Sequence, residues 1–348
     1  ALDLIKGGNW PNAANINPAA FVDALFQCHL YTGTGSNQTI TNNINLSGSG
    51  GLVWSKARSA TKNHAFVDTA RGANKYLEGN LNNAEGTATN IVTAFNSDGY
   101  TAGSGGYAGE NGVEYVSWTF RKQPKFFDIV TYTGNGTAGR TVAHNLGSVP
   151  GMIIIRNLAN GYSWQVYHRG MANTDRIELD NTGGKSTGAT TYWNSTTPSS
   201  TVFTLGTQNQ VNEDGDSFVA YLFAHNDDDG GFGAAGDQDI IKCDSYTGNG
   251  SATGPSVNLG FEPQWVLIKL ASGDGENWIL MDNMRGMPVG GNDTLFEIND
   301  NSTEKATSEI LDLTPTGFNI ISTSNGINTN NQTYIYMAIR RGGMQTPT

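Results

Sequence analysis

Hydrophobic residues along this chain come in short runs, separated by stretches of Gly, Asn, Ser and Thr. Leu52-Val53-Trp54, Met152-Ile153-Ile154-Ile155 and Trp265-Val266-Leu267-Ile268 are continuous. Tyr115-Val116-Ser117-Trp118-Thr119-Phe120, Phe218-Val219-Ala220-Tyr221-Leu222-Phe223 and Tyr334-Ile335-Tyr336-Met337-Ala338-Ile339 are aromatic and alternating. Helical periodicity is missing around them. Short runs bounded by turn residues predict β-strands. One helix candidate stands apart: Asn17-Pro18 supplies an N-cap and a first-turn proline leading into Ala19–Gln27.

The runs recur in a fixed order, so the search for repeats decides the organisation. Three segments open alike: Tyr31-Thr32-Gly33-Thr34-Gly35, Tyr132-Thr133-Gly134-Asn135-Gly136 and Tyr246-Thr247-Gly248-Asn249-Gly250. Each copy closes on one of the alternating aromatic strands. Tyr31 to Tyr115, Tyr132 to Phe218 and Tyr246 to Tyr334 are separations of 84, 86 and 88 residues. Copies two and three enter their first hydrophobic strand through Pro150 and Pro263, where a missing N–H costs least. A second strand follows at His64–Asp68, Trp164–His168 and Trp278–Asp282. Soon after it comes Arg71-Gly72, Arg169-Gly170 or Arg285-Gly286. A later strand is expected around Phe95, Phe203 and Phe318. The prediction is an all-β chain of three tandem antiparallel β-sandwich domains, jelly-roll or lectin-like. The expected boundaries are an N-terminal linker (1–27), then copies one (28–124), two (125–236) and three (237–348), the last ending in a C-terminal linker. Linkers are expected near Arg121–Phe127 and at Asp227–Asp237.

Composition sharpens this picture. The chain has 348 residues, 45 of them Gly, and only 15% are charged, against about 25% in an ordinary domain. Its surface must therefore be covered by amides and hydroxyls. The net charge of -11 and the lack of a Lys/Arg cluster argue against nucleic acid and against an anionic membrane surface. Apolar runs fall well short of the roughly 20 residues of a spanning helix. The chain opens at Ala1 with no initiator Met or visible signal peptide, as expected of a processed chain or a segment of a longer one.

Leu52–Ser59, His64–Leu77 and Phe95-Asn96-Ser97-Asp98-Gly99-Tyr100, with the Tyr-Thr-Gly-Asn-Gly openings and Val142–Arg156, resemble a repeat of tail-fibre and other structural proteins of marine bacteriophages, cyanophages among them. The resemblance runs from about Cys28 to Arg341. It implies a virion component and brings no catalytic motif.

The candidate chemistry is sparse. Cys28 and Cys243 each precede an opening Tyr by three residues, where copy two has Ile129, so both are expected as free, buried thiols. The five histidines lack metal-ligand spacing. His168 aligns with Asp68 and Asp282, and Asp68–Arg71 and Asp282–Arg285 are expected as surface pairs. Asp227, Asp228 and Asp229 invite a calcium reading but lack EF-hand spacing; a solvated linker between copies two and three explains them better. Neither a paired-carboxylate cleft nor a nucleophile elbow is expected, so no catalytic residue and no cofactor are assigned. Aromatics in polar stretches could stack on sugars: Tyr192-Trp193 foremost, in an insertion that copies one and three do not clearly share, with Tyr162, Tyr107 and Trp278 also in view. The alternative for Tyr192-Trp193 is that both pack against a neighbouring subunit or domain.

The expected function is non-catalytic: a tail or head fibre or appendage module on the virion surface, presenting a host-contacting surface. A capsid decoration or connector protein and a carbohydrate-binding, lectin-like module are the alternatives. Expected partners are further copies of the chain, with a trimer as the candidate stoichiometry, other virion proteins, and a host surface glycan or protein.

Overall fold

The computed structural model describes residues 21–342. It is all-β, with antiparallel sheets and helical segments of one turn. The start of the N-terminal helix candidate (Asn17 to Ala20) lies outside the described residues. Of its remainder, Val22–Ala24 is a single 3-10 turn, and Phe26–Gln27 already belong to a strand.

The same sheet is built three times. An opening strand (Phe26–Thr32, Phe127–Thr133, Ile241–Thr247) pairs with the closing strand (Glu114–Arg121, Ser217–Ala224, Thr333–Arg340). The closing strand pairs in turn with a middle strand (Gly51–Ala57, Pro150–Asn157, Pro263–Leu270). A fourth strand follows at Ala65–Asp68, Gln165–His168 and Ile279–Asp282, and shorter outer strands complete each sheet. The first and last motifs of every copy meet directly. Tyr31 faces Tyr115, Tyr132 faces Phe218 and Tyr246 faces Tyr334, with rings stacked at 5.4, 5.0 and 5.1 Å. Such pairs add about 0.5–1.5 kcal/mol beyond burial.

One face of each large sheet covers a small sheet of its own copy, giving a sandwich-like unit. Ile40 pairs with Tyr100, Val142 with Phe203 and Val257 with Phe318. Tyr100, not Phe95, is therefore the copy-one counterpart of Phe203 and Phe318.

The other face of each large sheet turns to the other two copies. One core cluster takes Trp54, Phe66, Trp118 and Phe120 from copy one, Trp164, Tyr221 and Phe223 from copy two, and Trp265, Trp278 and Phe296 from copy three. Phe66 lies 5.2 Å from Trp164, Phe120 5.5 Å from Phe223, and Trp54 6.4 Å from Trp265, centroid to centroid. The middle strands are consequently buried on both faces, which explains their unbroken apolar runs. The expected linker at Arg121–Phe127 is not a spacer: Phe126 and Phe127 are fully buried in this shared core.

Polar contacts close the three copies into a ring. Asp68 of copy one accepts from the Tyr221 hydroxyl of copy two at 2.8 Å. His168 of copy two reaches the Tyr336 carbonyl of copy three at 3.0 Å. Asp282 of copy three accepts from the Trp118 indole of copy one at 3.0 Å. A second ring runs the opposite way from three equivalent buried cations. Lys56 donates to the Ser302 carbonyl at 2.8 Å, Arg156 to the Asn83 carbonyl, and Lys269 to the Thr182 carbonyl at 2.9 Å. Each contact gives a buried cation an acceptor on the neighbouring copy.

The ion pairs expected on the surface are thus internal. Asp68–Arg71 and Asp282–Arg285, both 2.6 Å, have side chains 0–3% exposed. They sit where one copy's strand end meets the next copy's closing strand, which shields them from water.

Candidate functional site

Copy two departs from this pattern, and a cleft opens beside the departure. Its counterpart of Asp68 and Asp282 is His168, and three residues on, where the others carry Arg71 and Arg285, it has Met171. Arg169 is therefore not the counterpart of those arginines. It lies two positions earlier and is exposed. The partner strand has changed in step: the residue matching Trp118 and Tyr221 is Met337, which has no proton to donate. With no donor opposite, a carboxylate would be stranded, and a neutral imidazole fits instead. His168 Nδ1 accepts from Gly170 N–H at 3.1 Å, so Nε2 carries the proton given to the Tyr336 carbonyl. Burial, ahead of the charge on Arg169, pulls its pKa down to about 4.

The cleft is about 640 Å³, within the range of small-molecule sites. One wall is the turn entering the copy-two middle strand, with Ser148 and the half-exposed Val149. The floor is the end of the fourth strand: Tyr167, Arg169 and Met171. Thr197 and Ser200 come from the copy-two insertion, and His225, Asp227 and Asp229 from the connection to copy three. Asn173 donates to the Thr197 hydroxyl at 3.1 Å and ties floor to insertion. His225 Nδ1 accepts from the Cys243 N–H at 3.2 Å, leaving Nε2–H as donor. Burial, with Arg169 and Lys242 nearby, lowers the His225 pKa, so the ring is neutral at pH 7.

Several groups here are uncommitted. The Arg169 guanidinium and the Tyr167 hydroxyl make no hydrogen bond among the described residues, and Ser148 Oγ is buried without a partner. Among the described residues, the Asp227 carboxylate has one contact, 3.5 Å from Lys242.

The residues expected to stack on sugars are placed differently. Tyr192 and Trp193 form the helical turn Thr190–Trp193 and are buried, not exposed. Trp193 donates to the Asp175 carbonyl at 2.9 Å and meets Tyr167 edge-on at 5.9 Å. Arg176 covers the Tyr192 ring at 4.6 Å. Their two apolar rings fill the insertion's own core, so they support the cleft from behind. Trp278 is buried too, donating to the Glu178 carbonyl of copy two. Tyr162 is half-buried in the loop before the fourth strand, and Tyr107 is tied to Glu78 at 2.5 Å. Neither lines the cleft.

Asp227, Asp228 and Asp229 are exposed. Their loop is organised by Asp239, which accepts from the backbone of Asp228 and Gly230. Among the described residues, no three His, Cys, Asp or Glu side chains are grouped to hold a metal ion. Nor is any described helix long and apolar enough to cross a membrane. Cys28 and Cys243 are free and buried, as the Ile129 equivalence indicates. The cleft was hard to see from sequence because its parts come from four separate segments. One signal was present: the shift of Arg from three residues after the polar strand end to one.

No curated protein and no solved structure matches the chain. A family model described as Domain of unknown function (DUF7483) matches residues 23–341, nearly its full length, and the chain belongs to that family.

Proposed function

We propose that this chain is a non-catalytic structural module of a virion surface, presenting a host-contacting face. The observation that carries the proposal is the shared aromatic core of all three copies. Three sheets that each bury both faces make a rigid body, and rigidity suits a scaffold that holds contact loops in place. The resemblance of Leu52–Leu77 and the Tyr-Thr-Gly-Asn-Gly openings to marine phage repeats supplies the virion assignment. Each copy is read as one jelly-roll or lectin-like sandwich domain. Further copies of the chain, as in a trimeric appendage, and other virion proteins are the proposed partners.

One observation favours the decoration or connector variant, or a fibre tip, over a fibre shaft. The ring of contacts Asp68–Tyr221, His168–Tyr336 and Asp282–Trp118 closes the copies on one another, so they do not extend end to end.

Immunogold electron microscopy, with antibody to the purified chain, tests the proposal on particles produced from the genome that encodes it. Label on capsids or appendages is expected. Label confined to host cells, with particles bare, would overturn it.

A further inference from the structure

We infer that the copy-two cleft binds an uncharged saccharide. The inference rests on the host-contacting reading for its biological meaning, whereas the binding is a property of the isolated chain.

The cleft's chemistry narrows the ligand. It offers free donors (Arg169, Tyr167) and an exposed acceptor (Asp227, held only loosely by Lys242) beside exposed apolar surface (Val149). A lipid or other apolar ligand would strand the guanidinium and the carboxylate out of water, at a cost of several kcal/mol. A phosphate or acidic sugar meets Asp227 and Asp229, and a bare cation meets Arg169. A sugar ring has the matching mixture: hydroxyls that both donate and accept, and C–H faces that pack on apolar side chains.

The comparison among copies is independent of that inventory. In copies one and three the arginine is internal, paired with Asp68 or Asp282. In copy two it is released to the surface, and Met171 takes the internal place. The inter-copy contact survives through His168. Freeing Arg169 therefore leaves the ring of contacts intact and supplies the one guanidinium that the cleft has.

The test is the purified full chain on an array of neutral and sialylated oligosaccharides, followed by calorimetric titration of the best neutral sugar. Arg169→Ala and Asp227→Asn should each weaken binding by about tenfold or more, the worth of one charge-assisted hydrogen bond. Asp214→Asn, in an exposed turn outside the cleft, should leave it unchanged. All three residues are exposed, and circular dichroism checks that the variants fold. Retention of no neutral sugar, preference for sialylated ones, or binding that survives both cleft substitutions would overturn the inference. Bare virions in the labelling experiment would leave it standing, so the two failures are distinct.

Discussion

Asp282 accepts a hydrogen bond from the Trp118 indole at 3.0 Å while it also holds the Arg285 guanidinium at 2.6 Å, joining the third copy to the first inside the protein. Asp68 does the same between Tyr221 and Arg71. Removing one member of a buried ion pair leaves the other as an uncompensated charge. Asp282→Ala should therefore cost roughly 3–5 kcal/mol. Tyr221→Phe removes the hydroxyl's two hydrogen bonds, to Asp68 and from Arg71, and leaves the Asp68–Arg71 pair in place, so about 1–2 kcal/mol is expected. Urea denaturation of both variants measures this, and equal small losses would contradict the ring.

His168 makes the fold sensitive to acid. Its folded pKa of about 4 lies below the ordinary 6.5. The unfolded chain thus binds the proton first, so this contribution is complete above about pH 6.5 and is lost as pH falls toward 4. The loss from this group should reach roughly 2 kcal/mol by pH 5. His64, also buried with a pKa lowered by burial and by Lys56, adds in the same direction. His168→Gln should lose less stability than the native chain between pH 7.5 and 5. Equal losses would mean that His168 stays neutral or titrates identically in both states.

Both thiols should be silent in the native protein. Burial raises the pKa of Cys28 and Cys243, and neither is accessible. Ellman's reagent at pH 8 should find no reactive thiol before denaturation and two after it. Rapid native reaction of either would show that the opening strand of that copy is not held.

The strands and their threefold repetition were legible because alternation, turn residues and the Tyr-Thr-Gly openings are local signals. Tyr31–Tyr115 and its two counterparts marked the opening and closing strands, and their pairing with each other is a finding of the structure. The packing of the copies on one another was not read from the sequence, although Met152–Ile155 carried a hint: an unbroken apolar run needs cover on both faces. That Tyr192 and Trp193 pack inside their own copy, and not against a neighbour, was not read for a related reason. Their flanking Gly, Ser and Thr describe the loop's surface, while Arg176 and Tyr167, distant in sequence or on another element, form the pocket that holds them. The internal Asp–Arg pairs looked like surface pairs because nothing near residues 68 or 282 names Tyr221 or Trp118.

The most direct test of one shared core is differential scanning calorimetry of the full chain. One transition, with calorimetric and van't Hoff enthalpies equal, is predicted, because no copy can lose the faces of Trp54, Trp164 or Trp265 without exposing the others. Two or three separable transitions, one for each independently melting copy, would contradict it.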